Sequence, residues 1–388
     1  MKTSRIIMAA AVFLMYSIFA SATFASVSDD QVTSQKIKEA DGTSGQDTNS
    51  GSGVKTGHIQ NGAVTPAKIG FFKNVIVVAS SGGDYASPVD AMNAITDASA
   101  SKLYLVKIMP GVYNIGSNKI QMKAYVDIAG SGENVTIING TSTYGSGVVE
   151  VSSTSEIRQL SVYNTGSGAA INITGGSPKI TNIIASTITV SGQPGYGIYT
   201  GSSSPTIMNV TATSSGGNAE NSGIRCDYSS NVVLNNVKAA ASGGGSRNCG
   251  IYLSFSSAVL NNVESSAADG TISLGIYIDS NGQGDLTNVK TSASNASQLN
   301  YGVFIERFSS AVLTNVVANG SGPSFGGSGV FNAVNCTMKI KGSTIAGAYN
   351  GGGTLYIGSS EINGTVSGNA VCAGVYDQNY IFYANTCP

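Results

Sequence analysis

Two columns of side chains recur along this chain with types that could do chemistry. Counted from Gly197, Gly223, Gly250, Gly275, Gly302 and Gly329, the second residue on is Tyr199, Arg225, Tyr252, Tyr277, Phe304 and Phe331. The fourth residue on is Gly201, Asp227, Ser254, Asp279, Glu306 and Ala333. An aromatic ridge beside an acidic row suits an extended glycan. Sugar rings lie on aromatic faces, and their hydroxyls pair with carboxylates and guanidinium groups. The same carboxylates could serve as an acid and base pair. Asp279 and Glu306 lie one repeat apart, near the roughly 5 Å of a retaining glycosidase pair. Asp227 and Asp279 lie two repeats apart, near the inverting separation. A plainer reading needs no ligand. Aromatic stacks stabilise a sheet by themselves, and exposed carboxylates discourage edge pairing. The residues that would support hydrolysis are missing.

What could hold these columns in line is a repeat of 25 to 27 residues, seen in the glycine spacing. A second phrase keeps time with the glycines: ITNI from Ile180, IMNV from Ile207, LNNV from Leu234 and Leu260, LTNV from Leu286 and Leu313. Two phrases in lockstep indicate a solenoid. After each glycine, apolar residues alternate with larger or polar ones, as in Ile251 and Leu253, Ile276 and Ile278, Val303 and Ile305. That is a short strand with one face in and one face out. In Leu-x-Asn-Val the two apolar residues are three apart, so the chain must bend between them. Asn tolerates the left-handed backbone such a bend needs. A third strand and a variable Gly/Asn-rich loop complete each unit. The expected fold is all-β: a parallel β-helix of about three short strands per coil. Asn182, Asn209, Asn236, Asn262, Asn288 and Asn315 would then form a hydrogen-bonded column. At the start of the body, Ser87-Pro88-Val89-Asp90 is a helix-opening phrase, and Val89, Met92 and Ile95 recur at helical spacing. A short helix over roughly 88–98 would cap the first coil.

Composition narrows the partners. Charged residues make up 11% of the 388, the net charge is −1, and there is one His and no Trp. With no basic stripe, nucleic acid is not expected as a partner. Residues 1–25 read as a secretory signal: Lys2 and Arg5, an apolar run from Ile6 to Phe19, then Ala20-Ser21-Ala22, with cleavage after Ala25 as the alternative. The protein is therefore expected to be secreted and to lie outside the cell or on its surface, the periplasm being a further destination. No membrane span is expected after cleavage. Residues 26–70 form a polar head or linker that contains His58, and 71–388 form the β-helix with a C-terminal cap. Export permits disulfides. Cys372 with Cys387 is the best pair, Cys226 with Cys249 is another candidate, and Cys336 is left over. The spacings fit no zinc pattern, and no metal or other cofactor is expected.

Two resemblances add to this reading. GHIQNGAVTPAKI, from Gly57 to Ile69, resembles short repeats of phage tail fibres and bacterial surface proteins, which are often trimeric. That implies a homotrimer formed through residues 26–70, where the plainer reading is a tether. The stretch Val75 to Gly140 resembles the opening of pectin methylesterases and other members of the pectate-lyase-like superfamily. The matching phrases are Gly83-Asp84-Tyr85, Ala91 to Ile95, VKIMPGVY from Val106, and VDIAGSGENVTII from Val126. With the Asn turns, the likeness covers most of 75–345 and implies a right-handed β-helix whose first strand lines a substrate groove. The resemblance does not extend to catalytic phrases. The esterase Gln-Ala-Val, Asp-Phe-Ile-Phe-Gly and Gly-Arg-Pro-Trp are missing, as are the polygalacturonase Gly-His-Gly and Arg-x-Lys. So is the dense Asp cluster with which pectate lyases bind calcium. The expectation is an exported, non-catalytic β-helix that binds or displays on polysaccharide. Its candidate glycan-binding residues are Tyr199, Arg225, Asp227, Tyr252, Tyr277, Asp279, Phe304 and Glu306. The alternatives are a polysaccharide esterase, lyase or glycosidase, and a purely structural stalk or adhesin.

Overall fold

The computed structural model describes residues 74–190, 192–229, 231–321 and 327–388. The expected signal, the polar head with His58 and its trimerising phrase lie outside those residues. From Asn74 on, the chain winds as a parallel β-helix. Each coil carries a front strand followed by a longer, bent one. Asn221–Asp227 is followed by Val232–Ser242, Arg247–Ser254 by Ser257–Ala268, and Ile272–Asp279 by Gln283–Ser294. Front strands stack into an 11-stranded sheet, and the bent segments into a 20-stranded one. Register is strict: Ile224, Ile251, Ile276 and Val303 pair in line. Ile251, Leu253, Leu260 and Val263 are all buried in one continuous core.

The bend falls on the asparagines. Asn182, Asn209, Asn236, Asn262, Asn288 and Asn315 all hold φ between 53° and 54°. The ladder skips each of them, so the bent strand is two short strands, and the third strand of each coil is its second half. Past Thr314 the halves separate outright, into Ser310–Thr314 and Val317–Ser321. The Asn amides bond up the stack: Asn209 Nδ2 donates to Asn182 Oδ1 at 3.0 Å, Asn236 to Asn209 at 3.2 Å, and Asn315 to Asn288 at 2.6 Å. These bonds hold the left-handed corners that Asn permits.

The repeat glycines lie inside the front strand. They do not open the front strand. It begins two or three residues earlier, at Asn221, Arg247, Ile272 or Leu299. Each glycine sits at a kink that the front ladder skips, pressed against the bent sheet. A Cβ on Gly250 would lie 2.2 Å from Ser265 Oγ, and one on Gly275 would lie 2.1 Å from Thr291 Oγ1. The hydroxyls there brace the kink: Ser265 Oγ donates to the Gly275 carbonyl at 2.7 Å and Thr291 Oγ1 to the Gly302 carbonyl at 2.8 Å. Because of the kink, the residue just before each glycine faces outward together with the second residue after it.

The two ends close differently. The opening helix runs over Pro88–Ala94, with Ser87 Oγ accepting from the backbone N–H groups of Val89 and Asp90 at 3.2 and 3.3 Å. It is shorter than the spacing predicts. Ile95 turns extended, and Ser99 and Lys102 exchange backbone hydrogen bonds in a tight turn. Ala91, Met92 and Ile95 still reach the core. At the other end Val375–Asp377 pairs antiparallel with Phe382–Tyr383, and a disulfide joins Cys372 to Cys387. The candidate pair Cys226–Cys249 does not form, and both thiols are free and buried. The reason is register. Ser222 pairs with Cys249 and Cys226 with Leu253, so the two cysteines are offset by four residues, roughly 13 Å along the strands. They also face opposite sides of the sheet, Cys226 in the central core and Cys249 under the outer aromatics. Cys336 is likewise a free, buried thiol. Among the described residues no helix is long and apolar enough to cross a membrane.

Candidate functional site

The outer face of the front sheet carries every candidate residue, but it is not one open groove. Over the coils of Tyr252, Tyr277 and Phe304 it is closed. Tyr277 and Asp279 are each 2% exposed, and Tyr252 is also buried. The cover comes from the residues before the glycines. Cys249, Leu274 and Tyr301 pack with Tyr252 and Tyr277 into a second apolar cluster, flanked by Ile272, Leu299, Phe304 and Phe331. Tyr252 stacks on Tyr277 at a centroid distance of 4.5 Å, and Phe304 on Phe331 at 4.4 Å. The expected exposed ridge is thus a second small core, because the kink doubles the outward apolar side chains.

The acidic row in this stretch is occupied. Tyr252 donates to Asp279 Oδ2 at 3.1 Å, and Arg307 Nη1 reaches the same oxygen at 3.1 Å. Tyr277 donates to Glu306 Oε1, and Arg307 Nε lies 3.8 Å from that oxygen. Burial first, then the bond to Glu306, pushes the Tyr277 hydroxyl far above its ordinary range. Burial likewise raises Tyr252, to about 12. Asp279 and Glu306 do fall on neighbouring coils, since Ile278 pairs with Ile305. They are held there by tyrosines and an arginine.

An ion-pair clamp borders this stretch. Glu220 accepts from Arg225 Nη1 at 2.5 Å and from Arg247 Nη2 at 2.7 Å. Arg225 stacks over Tyr252 and Tyr196, with its guanidinium 4.5 and 5.6 Å from the ring centroids. Arg247 lies 5.0 Å from the rings of both Tyr252 and Tyr277. Glu220 and Arg247 were not among the sequence candidates. Both lie three residues before a glycine, at or near the true start of the front strand, where the repeat phrase carries no signal.

Beyond the clamp the face opens into a pocket of about 260 Å³, lined by Tyr144, Asn172, Thr174, Tyr196, Tyr199, Arg225 and Asp227, with small residues at its floor. Tyr199 pairs in register with Asn172 on one side and Arg225 on the other, so the pocket continues the same column. Gly201 gives Tyr199 its place. A Cβ there would meet the Tyr199 hydroxyl oxygen at 3.3 Å, so the ring lies across the glycine toward Asp227, its register partner. Burial, then the Asp227 charge, pushes the Tyr199 hydroxyl up to about 12. Asp227 is 9% exposed. Its Oδ2 takes Arg225 Nε at 2.9 Å, and its Oδ1 has no hydrogen-bond partner. Beneath the pocket, Glu150 accepts from Asn172 Nδ2 at 2.6 Å, from the Gly147 N–H at 2.8 Å and from Ser146 Oγ at 3.0 Å.

A third feature lies on the fifth residue after Gly223 and after Gly250. Tyr228 and Phe255 stack at 4.9 Å, with ring planes 4° apart, and are 66% and 45% exposed. Both hold left-handed backbone, φ 52° and 46°, a conformation that costs an L residue about 1 kcal/mol. This exposed pair follows directly on Asp227 and Ser254 and was legible by the same counting.

No family model matches the chain, and no curated protein is similar to it in sequence. The likeness to solved structures is one of fold. Among them is the A-module of the mannuronan C-5 epimerase AlgE6 of Azotobacter vinelandii, at 14% identity and a TM-score of 0.49, covering 74% of this chain and 93% of that one. The pectin methylesterase PemA of Erwinia chrysanthemi matches at 11% identity and 0.34, covering 72% and 80%. The catalytic domain of a GH87 alpha-1,3-glucanase, solved with nigerose, matches at 15% and 0.40, covering 78% and 64%. These neighbours are β-helix proteins named for activity on polysaccharides.

Proposed function

We propose that this is an exported β-helix that binds an extended polysaccharide on its front face, seating one sugar unit in the pocket of Tyr144, Tyr196 and Tyr199. The observation that carries this reading is that pocket. Three tyrosines surround a cleft about the size of a sugar ring, next to a carboxylate whose Oδ1 has no partner. The exposed Tyr228–Phe255 stack extends the aromatic surface beside it, so a chain longer than one sugar has somewhere to lie. The left-handed backbone under both rings is the turn that other coils make at the same position, at Ser202, Ser280 and Arg307, so it places the pair without marking it.

A second reading places chemistry at the same pocket, of esterase, lyase or glycosidase type. Asp227 favours it, since an acid or base needs an oxygen not already engaged, and Asp227 Oδ1 meets that condition. Asp279 does not, since Tyr252 and Arg307 hold its two oxygens, and Glu306, bonded through Oε1 to Tyr277, lies away from the pocket lining. Incubating the secreted protein with a polysaccharide panel separates the two readings. Binding is read on an array, and products as reducing ends, unsaturated sugars or released methanol. Binding without products supports the first reading. Products that vanish in Asp227→Asn support the second. Neither binding nor products would overturn both and leave a structural stalk or adhesin.

A further inference from the structure

We infer that the pocket takes the end of a polysaccharide chain, not a unit from its middle, an assignment that rests on the binding role proposed above. Along the axis of the β-helix, both sides of the pocket are closed by side chains that are already bonded. On one side stands Arg225, the register neighbour of Tyr199. Its Nη1 is held by Glu220 at 2.5 Å and its Nε by Asp227 at 2.9 Å, and its guanidinium lies 4.5 Å from the ring of Tyr252 in the next coil. On the other side stands Glu150, the register neighbour of Asn172. It is nine-tenths buried, accepts from Asn172, Gly147 and Ser146, and has Lys119 3.6 Å away. From Glu150 to Arg225 is three coil steps, about 14 Å between backbones. Asn172 and Tyr199 stand between them, and the space left over is about 260 Å³, room for one ring.

An internal unit carries a neighbour on each side and would need both boundaries to yield. Moving Arg225 breaks its pair with Glu220, in which both side chains are mostly buried. Moving Glu150 strands the Asn172 amide and the Gly147 N–H. A terminal unit needs only one way out, and the exposed Tyr144 wall supplies it. The rest of the chain then lies outside the pocket, where the Tyr228–Phe255 stack is also exposed. A chain end also keeps a hydroxyl that an internal unit has spent in its linkage, and a hydroxyl both donates and accepts. The pocket has both kinds of partner for it. Arg225 Nη2 carries no hydrogen bond, and neither does Asn172 Oδ1, since the Asn172 amide nitrogen is given to Glu150.

The test is a calorimetric titration of the full chain with soluble linear glucan, mannan, galactan and galacturonan, each intact and after partial acid hydrolysis. Hydrolysis multiplies the chain ends per gram and leaves the number of sugar units almost unchanged. For whichever polymer binds, a tenfold rise in reducing ends is expected to raise the binding sites per gram at least fivefold. A smaller rise would overturn the end assignment and leave the binding role standing. No binding by any polymer, intact or hydrolysed, would overturn both.

Discussion

The front face puts the same strand, glycine kink and column offsets to two uses. Around Tyr252 and Tyr277 the outward side chains close on one another, each carboxylate is bonded, and little is left for a ligand. Around Tyr199 the column gives way to Asn172 on one side and the fourth position to Gly201, and a pocket opens. The difference lies in the register neighbours of the second residue after the glycine, aromatic for Tyr277 and Asn172 for Tyr199, and in the fourth residue after it. Stacked rings fill the closed stretch, while the Tyr199 ring lies over Gly201 and leaves the space beside Asn172 open. In a solenoid, where every coil repeats one backbone, a site is made by omitting side chains as much as by adding them.

The contrast can be broken by substitution, most severely in the closed stretch. Tyr277→Ala removes a fully buried ring from the second core and strands Glu306, so unfolding by urea should show a loss of about 3–5 kcal/mol. A loss below about 1 kcal/mol would mean this stretch is not a core. Glu220→Gln leaves Arg225 and Arg247 with a neutral partner at the border of the two regions. Stability should fall by about 1–3 kcal/mol, and sugar binding should weaken because Arg225 shifts. A variant unchanged on both counts would remove the clamp from the account.

Alkaline titration sharpens the same comparison. Burial raises the folded pKa of Tyr196, Tyr199, Tyr252 and Tyr277 above the ordinary 10.0, to about 12 for Tyr199 and Tyr252. Above pH 10 the unfolded chain loses these protons while the folded one keeps them, so the unfolded state gains. The stabilisation is present in full below the unfolded value and is lost as the pH rises through the folded values. Melting temperature should therefore decline from about pH 10 upward. Tyrosinate absorbance should show Tyr196, Tyr199, Tyr252 and Tyr277 as a late-titrating group. One unresolved titration of all tyrosines near 10 would contradict the closed stretch.

Much of this was legible in the sequence. The repeat, the strand alternation and the Asn corners follow from residue type, because a left-handed bend and a flat core strand each admit few residues. The eight candidate residues do lie on one face. What the spacing concealed was the kink. A glycine pressed against a neighbouring sheet looks, in sequence, the same as a glycine that opens a strand. Only the fold shows that Cys249, Leu274 and Tyr301 turn outward to cover Tyr252 and Tyr277. The same kink and register set Cys226 and Cys249 on opposite faces, which no count of cysteines could reveal. The pocket was half legible: Tyr199, Arg225 and Asp227 were on the columns, whereas Tyr144 and Asn172 come from earlier coils where the repeat phrase is weaker.

The central claim is that the face binds at its pocket and is structural elsewhere. Tyr144 tests it most directly, because this pocket wall is 57% exposed and its removal should change stability by no more than about 0.5 kcal/mol. The measurement is the affinity of Tyr144→Ala for the best-bound oligosaccharide of the panel, compared with wild type at matched melting temperature. The account predicts a tenfold or greater loss, about 1.4 kcal/mol of binding. Unchanged affinity in a stably folded variant would contradict it.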